Sequence, residues 1–231
     1  VLRAVGKDNP KNHGLGTSKL RTPNPELRTP NSELRTPLDT RHPTLGTRHS
    51  LMSGSITLIL GGSRSGKSRR AESLAGREAM APVTYVATCA TALMDDEMRC
   101  RVQQHRRHRP AHWCTIENRF DLPELIAENN RTLLLIDCLT LWLSHGWITH
   151  PDEACILAEL ERALQIAAVR DGALILVSNE LGMGLVPADA RSRGFRDLCG
   201  RANQVAAAYA QRVEFMVAGL PLVLKGGTGQ P

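Results

Sequence analysis

The sequence predicts an α/β fold: a mostly parallel sheet with helices on both faces, preceded by a disordered N-terminal segment. Three observations point there. From Ser53 onward, short runs rich in Ile, Leu and Val alternate with longer helix-patterned segments, the order of parallel strands joined by crossover helices. The first of these runs leads directly into GGSRSGKS, Gly61 to Ser68, and then into a helical stretch. Residues ahead of Met52 carry proline in a short repeat with almost no apolar periodicity, so they bury no core.

The repeat reads LRTPN at Leu20 to Asn24, ELRTPN at Glu26 to Asn31 and ELRTPL at Glu33 to Leu38. Met52 is the first methionine and stands immediately before SGSITLILGG. The expectation is two parts: residues 1–52 as a disordered tail, read as a translated upstream repeat or a mis-set start, and residues 53–231 as the working domain. A genuine basic tail is the competing reading.

The expected strands are the apolar runs Ile56 to Leu60, Val83 to Ala87, Thr132 to Ile136, Leu174 to Ser178 and Val213 to Val217, with Pro221 to Leu224 as an edge. The expected helices are Lys67 to Met80, Asp95 to His108, Leu122 to Asn129, Asp152 to Arg170 and Phe195 to Arg212. Functional groups in such a sheet belong at the carboxyl ends of the strands.

Composition narrows the partners. A chain of 231 residues suits one sizeable α/β domain. Aromatic residues make up 3%, too few for the base-stacking platforms of single-strand binders. The net charge of +6 is concentrated in residues 1–51, which hold nine basic and four acidic groups and leave 20 basic and 19 acidic groups for the rest. No nucleic-acid partner is expected. Six cysteines without a C-x-x-C pair read as reduced thiols, and no run spans a bilayer or resembles a secretory signal, so the expected setting is cytoplasmic and away from membranes.

The stretch Gly61, Gly62, Ser63, Arg64, Ser65, Gly66, Lys67, Ser68 fits G-x-x-x-x-G-K-[ST] between a strand and a helix, and makes the expected sheet one of the P-loop NTPase type. Its glycines let backbone N–H groups wrap phosphates, Lys67 supplies charge for the β and γ oxygens, and Ser68 can bind Mg²⁺. Asp137 closes the apolar run LLLID where a Walker B carboxylate would stand. The loop specifies a nucleotide but not a reaction: an ATPase motor, a GTPase and a small-molecule kinase all share it. No N-K-x-D motif is evident, and the size of the domain suits a small-molecule enzyme.

Between Asp95 and Pro110 two histidines stand among five arginines. Glu97, Arg101 and His105 recur every four residues on one helical face, with Arg109 next in the series. Asp95 and Asp96 suit the positive end of the helix dipole and Arg106, Arg107, His108 and Arg109 the negative end. Taken alone, such a segment would be an ordinary charged surface helix.

Six segments change that weighting: GGSRSGKS, YVATCATALMDDEM, RVQQHRRHRPAHWCTIE, LLLIDCLTLWLS, LVSNELGMGLVP and RGFRDLCGRANQVAAAYAQRVEFMVAGLPLVLK. In this order they cover nearly everything from Ile56 to Lys225. Together they resemble the bifunctional adenosylcobinamide kinase and adenosylcobinamide-phosphate guanylyltransferase family of cobalamin assembly.

The resemblance implies a P-loop fold assembled as a homotrimer, the nucleotides ATP and GTP with Mg²⁺, and adenosylcobinamide and its phosphate as substrates. It implies two reactions, phosphorylation of the aminopropanol hydroxyl and then transfer of GMP through a guanylyl-histidine. By the match of the helix ending in R-P-x-x-W, that histidine is His105 rather than His108, with Gln104 in a place some members fill with histidine. Arg106, Arg107, His108 and Arg109 would surround the triphosphate, and Ala87, Thr88, Cys89, Glu117 and Asp137 would line the GTP site. Either Glu117 or Asp137 is chemically suited to guanine N1–H and N2–H₂. The alternatives are a P-loop small-molecule kinase without guanylyl transfer and a nucleotide-binding regulatory module.

Asn179 and Glu180, in a loop with Gly182 and Gly184, read equally as Mg²⁺ or hydroxyl handling and as a capped turn. Arg193, Arg196, Asp197 and Asn203 belong to a motif shared with that family, though spacing alone makes them an amphipathic helix. His112, His145 and His150 lack metal-ligand spacing, and Met94 and Met98 read as packing residues.

Overall fold

The computed structural model describes residues 54–78, 82–91 and 96–226, with the side chains of residues 78, 98, 101, 104, 105, 107 and 108 left out. The expected tail, its repeat, Met94 and Asp95 lie outside the described residues. Among the described residues seven strands and six helices follow in the order β1 (Ile56–Gly61), α1 (Lys67–Glu78), β2 (Val83–Ala87), α2 (Asp96–His108), β3 (Cys114–Glu117), α3 (Leu122–Glu128), β4 (Leu133–Asp137), α4 (Leu139–Thr149), α5 (Glu153–Val169), β5 (Leu174–Asn179), α6 (Ala190–Tyr209), β6 (Arg212–Val217) and β7 (Leu220–Lys225).

The strands form one sheet in the order β3-β2-β4-β5-β1-β6-β7. All pairings are parallel except β6 with β7, which close the chain as an antiparallel hairpin. This is the mostly parallel sheet that the sequence predicts. Strands buried on both faces read as continuous apolar runs. Ile56, Leu58, Leu60, Leu134, Ile136, Leu174 and Leu176 join the core on one face, built with α3, α4, α5 and α6. Ile59, Leu133, Leu135, Ile175 and Val177 join the core on the other, where α1 contributes Ala71, Leu74 and Ala75 and the loop ahead of β3 contributes Trp113.

Two elements escaped the sequence reading. β3 is a four-residue edge strand whose residues are exposed or half-buried, so it leaves no apolar run. α4 reads LTLWLSHGWIT, apolar around most of its circumference and continuous with β4 in sequence, so it shows little helical periodicity. α6 begins five residues before the expected Phe195, because the Asp189 side chain accepts from Ser192 N and caps the helix there.

α1 is anchored to β6 by a buried charge cluster. The Glu214 carboxylate, fully inaccessible to water, accepts from Arg70 Nε at 2.7 Å and Nη2 at 2.8 Å and from Arg212 Nε at 2.8 Å. Among the described residues no helix is long and apolar enough to cross a membrane.

Candidate active site

Strand register brings separated parts of the sequence to one sheet edge. Gly61 pairs with Asn179 and Met216, Ala87 with Asp137 and Glu117, and Asp137 with Val177. A cavity of about 490 Å³ opens over this edge. Its walls include Ser63 to Ser68, Ala87, Cys89, Arg109, Glu117 and Asp137, all expected from sequence, Asn179, which the sequence leaves open between site and turn, and Tyr85 and Val102, which it does not single out.

The loop between β1 and α1 has the backbone a phosphate cradle needs. Gly61 has φ +150°, and a Cβ there would come within 2.7 Å of both Met216 O and Ser65 Oγ. Gly66 has φ +98°, and Arg64 takes a left-handed φ of +56°. The loop is fastened to its neighbours: Glu180 N donates to Gly61 O at 3.1 Å, and Gly219 N donates to Ser65 O at 3.0 Å. Lys67 Nζ donates to Gly62 O at 2.6 Å, folding the buried side chain back over the loop. Burial lowers its pKa, against the opposing influence of Cys138 and Asp137.

Asp137 stands at the end of β4, where its Oδ2 accepts from Tyr85 Oη at 2.8 Å. Burial, and then the adjacent carboxylate, push the Tyr85 phenol well above its ordinary pKa, so it remains a donor. The same ring carries the Arg109 guanidinium, whose Cζ lies 3.4 Å from the ring centroid. Arg109 Nε and Nη1 are buried and have no hydrogen-bond partner among the described residues. A buried cationic donor in this state is prepared for an anion.

Thr88 departs from expectation. It is fully buried and outside the cavity wall, its hydroxyl donating to Cys138 O at 2.6 Å and accepting from Cys138 N at 2.8 Å. It fixes the β4–α4 junction beneath the site. Burial and then Asp137 push the Cys138 thiol up to about 12, which keeps it neutral. Glu117 lines the far end of the cavity, its Oε1 accepting from Arg106 Nε at 3.1 Å and Nη2 at 2.6 Å.

Val102 and Arg109 both line the cavity. Val102 lies within α2 and Arg109 directly follows its last residue, and position 105 stands in the last turns of the helix between them in the chain. The side chains of His105, Arg107 and His108 lie outside the description.

Tyr85 was missed because a tyrosine in a buried strand reads as core. Its only sequence signal is that it precedes the strand-end Ala87 by two positions and therefore shares its face. Asn203 is a structural residue: it accepts from Ser178 Oγ at 2.7 Å and donates from Nδ2 to Asn179 O at 3.1 Å, holding the end of β5. His145 stacks on Phe120 at 3.7 Å. Among the described residues no cluster of three or more His, Cys, Asp or Glu could hold a metal. Mg²⁺ does not require one here, since it keeps several waters and takes one or two protein oxygens plus phosphates. The Ser68 hydroxyl and Asp137 carboxylate on the cavity wall suit it.

The model of one family, cobinamide kinase / cobinamide phosphate guanyltransferase, matches residues 57–224. The bifunctional adenosylcobalamin biosynthesis protein CobP of Pseudomonas aeruginosa is 45% identical over 172 residues, 73% of this chain and 96% of that protein. Its counterpart CobU of Escherichia coli is 38% identical over 182 residues, covering 73% of this chain and 98% of that protein. Among solved structures, a type III secretion system ATPase of pathogenic bacteria aligns with 75% of this chain and 59% of its own at 12% identity and a TM-score of 0.49, too low for fold or function to follow. The family match spans the phosphate loop, the α2 segment and every strand of the sheet, and the chain belongs to the cobinamide kinase / cobinamide phosphate guanyltransferase family, enzymes that combine a kinase and a nucleotidyltransferase.

Proposed function

We propose that the chain phosphorylates adenosylcobinamide with a nucleoside triphosphate and then guanylylates the product through His105, using ATP or GTP in the first step and GTP in the second. The observation that supports the His105 assignment is its place in the last turns of α2, a helix that brings Val102 to the cavity wall and leads directly into Arg109 on that wall, in a chain of this family.

In the first step the aminopropanol hydroxyl attacks the γ-phosphorus, a new P–O bond forms, and the nucleoside diphosphate departs with the electron pair of the broken bond. The hydroxyl proton passes to solvent or to a basic oxygen in the cavity. Loop N–H groups and Lys67 hold the β and γ oxygens, and Ser68 and Asp137 would hold Mg²⁺ on them. Bound there, Mg²⁺ neutralises charge on the phosphates.

In the second step a neutral His105 ring nitrogen attacks the α-phosphorus of GTP. An N–P bond forms, the α–β P–O bond breaks, and pyrophosphate leaves. Attack by a phosphate oxygen of adenosylcobinamide phosphate then breaks the N–P bond and returns the imidazole. Arg109, two of whose buried nitrogens lack a partner among the described residues, stabilises the charge that develops on the transferred group, and Arg106 and Arg107 assist from the same end of α2.

Position along the sheet favours Glu117 over Asp137 for guanine. β4 lies two strands from β1 and β3 lies four, about 10 and 19 Å away at the usual strand spacing. Asp137 therefore belongs at the phosphate and metal end, while Glu117, steadied by Arg106, belongs at the base end. A homotrimer fits the outermost strand, where Leu220, Leu222 and Leu224 are exposed along an unpaired edge.

The test is a pair of variants. His105→Ala should abolish GMP transfer and spare phosphorylation of cobinamide, whereas Lys67→Ala should damage both. Equal loss of both activities in a folded His105→Ala protein would sink the assignment.

A further inference from the structure

A second cavity, of about 560 Å³, lies between α4, the β5–α6 loop and the start of α6. Trp147, Ile148, Leu181, Leu185 and Phe195 give it an apolar lining, while Arg191 and Arg196 supply its charged groups among the described residues. It is built rather than incidental. A Cβ at position 194 would come within 3.2 Å of Trp147 Cζ2, so Gly194 is what lets the indole lie against α6. Arg193 Nη1 donates to Pro187 O at 3.0 Å and to Ala188 O at 2.6 Å, which pins the loop at the cavity rim. Leu185 on the lining is 97% exposed, and Met183 in the same loop is 78% exposed, an apolar display of the kind that marks a binding surface.

The two cavities are lined by neighbouring residues of the same elements. Leu141 lines the nucleotide cavity and Ser144 the second, three residues apart on α4, or about 4.5 Å along the helix. Asn179 lines the first and Leu181 the second, at most about 7 Å apart. The same loop is tied to the phosphate cradle by Glu180 N donating to Gly61 O.

We propose that this cavity receives the macrocycle of the corrinoid acceptor while the substrate's aminopropanol arm crosses Asn179 towards the nucleotide; the inference rests on the cobinamide reading above. A corrin is a broad, largely apolar ring edged with amides. Trp147 and Phe195 offer aromatic surface to the ring, and Arg191 and Arg196 offer donors to amide oxygens. The cavity covers only part of such a molecule, and the exposed side chains of Met183 and Leu185 extend the contact. A second protein copy would want the same apolar rim but has no need of a cavity that neighbours the nucleotide site along α4 and the β5–α6 loop.

The experiment uses the full chain with cobinamide as acceptor and compares wild type with Leu185→Asp, Arg196→Gln and Gly194→Val. Each variant should raise the KM for cobinamide by about tenfold or more, while the KM for the nucleotide and the GMP labelling of enzyme by GTP alone stay unchanged. Leu185→Asp is so exposed that its folding is not at risk, and it decides the outcome if Gly194→Val misfolds. An unchanged cobinamide KM in Leu185→Asp, with or without an altered oligomeric state, overturns the assignment. A wild type that turns over no cobinamide at all would fail the functional reading itself, whereas active wild type with unaffected variants fails the cavity alone.

Discussion

Tyr85 Oη donates a 2.8 Å hydrogen bond to Asp137 Oδ2. The same ring supports the Arg109 guanidinium at 3.4 Å, so one side chain orients both a carboxylate and a cation on the cavity wall. Tyr85 thereby acts as a positioning residue. Tyr85→Phe keeps the platform and loses the hydrogen bond: kcat should fall roughly tenfold, about the worth of one charge-assisted hydrogen bond, with nucleotide KM little changed. Tyr85→Leu also removes the platform, so nucleotide KM should rise as well. Steady-state kinetics of both variants checks this, and a Tyr85→Phe enzyme with wild-type kcat would contradict it.

Lys67 gives a pH prediction. Burial lowers its pKa below the ordinary 10.5, and bound phosphates would raise it again. In the alkaline range between the lowered value and 10.5, free enzyme has partly lost this proton and bound enzyme retains it. Nucleotide binding should therefore take up protons there, and affinity should fall as pH rises. Calorimetry in buffers of different ionisation enthalpy measures the uptake, which Lys67→Met should remove.

Glu214 gives a stability prediction. Burial raises its pKa, but hydrogen bonds from Arg70 and Arg212 outweigh that and hold it below the ordinary 4.5. A depressed carboxylate stabilises the fold above its unfolded pKa, and the contribution is lost as pH falls through the folded one. Glu214→Gln should cost about 3 kcal/mol at neutral pH, the low end for breaking a buried pair, because both arginines keep about a fifth of their surface in water. Denaturant unfolding at pH 7 and across the acid range below pH 4.5 tests it: the gap between wild type and variant should close on acidification.

Gly61 tests the cradle. Alanine there meets the Met216 carbonyl at 2.7 Å and carries a φ suited to glycine. The expected cost is about 1–3 kcal/mol, with loss of the thermal stabilisation that nucleotide gives wild type. Thermal melts with and without GTP and Mg²⁺ provide the measurement.

Most of the sheet was legible because strands buried on both faces leave runs such as LILVS and LLLID, and the phosphate loop carries its own spacing. β3 and α4 were not, since one is a short exposed edge and the other is apolar on too many sides to show a period. In the site, the ends of β1, β2 and β4 could be placed by the rule for parallel sheets. Tyr85 could not, because its role depends on two partners, Asp137 and Arg109, that only the fold brings together. Thr88 sits beside the site in sequence yet turns inward, where its hydroxyl serves the Cys138 backbone. The adjoining cavity was equally hidden, since LTLWLSHGWIT and LGMGLVP meet through the packing of α4 against α6.

The central claim is that His105 carries GMP. Enzyme incubated with GTP and Mg²⁺, without corrinoid, is digested under non-acidic conditions and mapped by mass spectrometry. An acid-labile GMP adduct on the peptide containing His105, absent from His105→Ala and discharged by adenosylcobinamide phosphate, is the predicted result. Nucleotide binding with no adduct, or an adduct that survives in His105→Ala, would contradict the account.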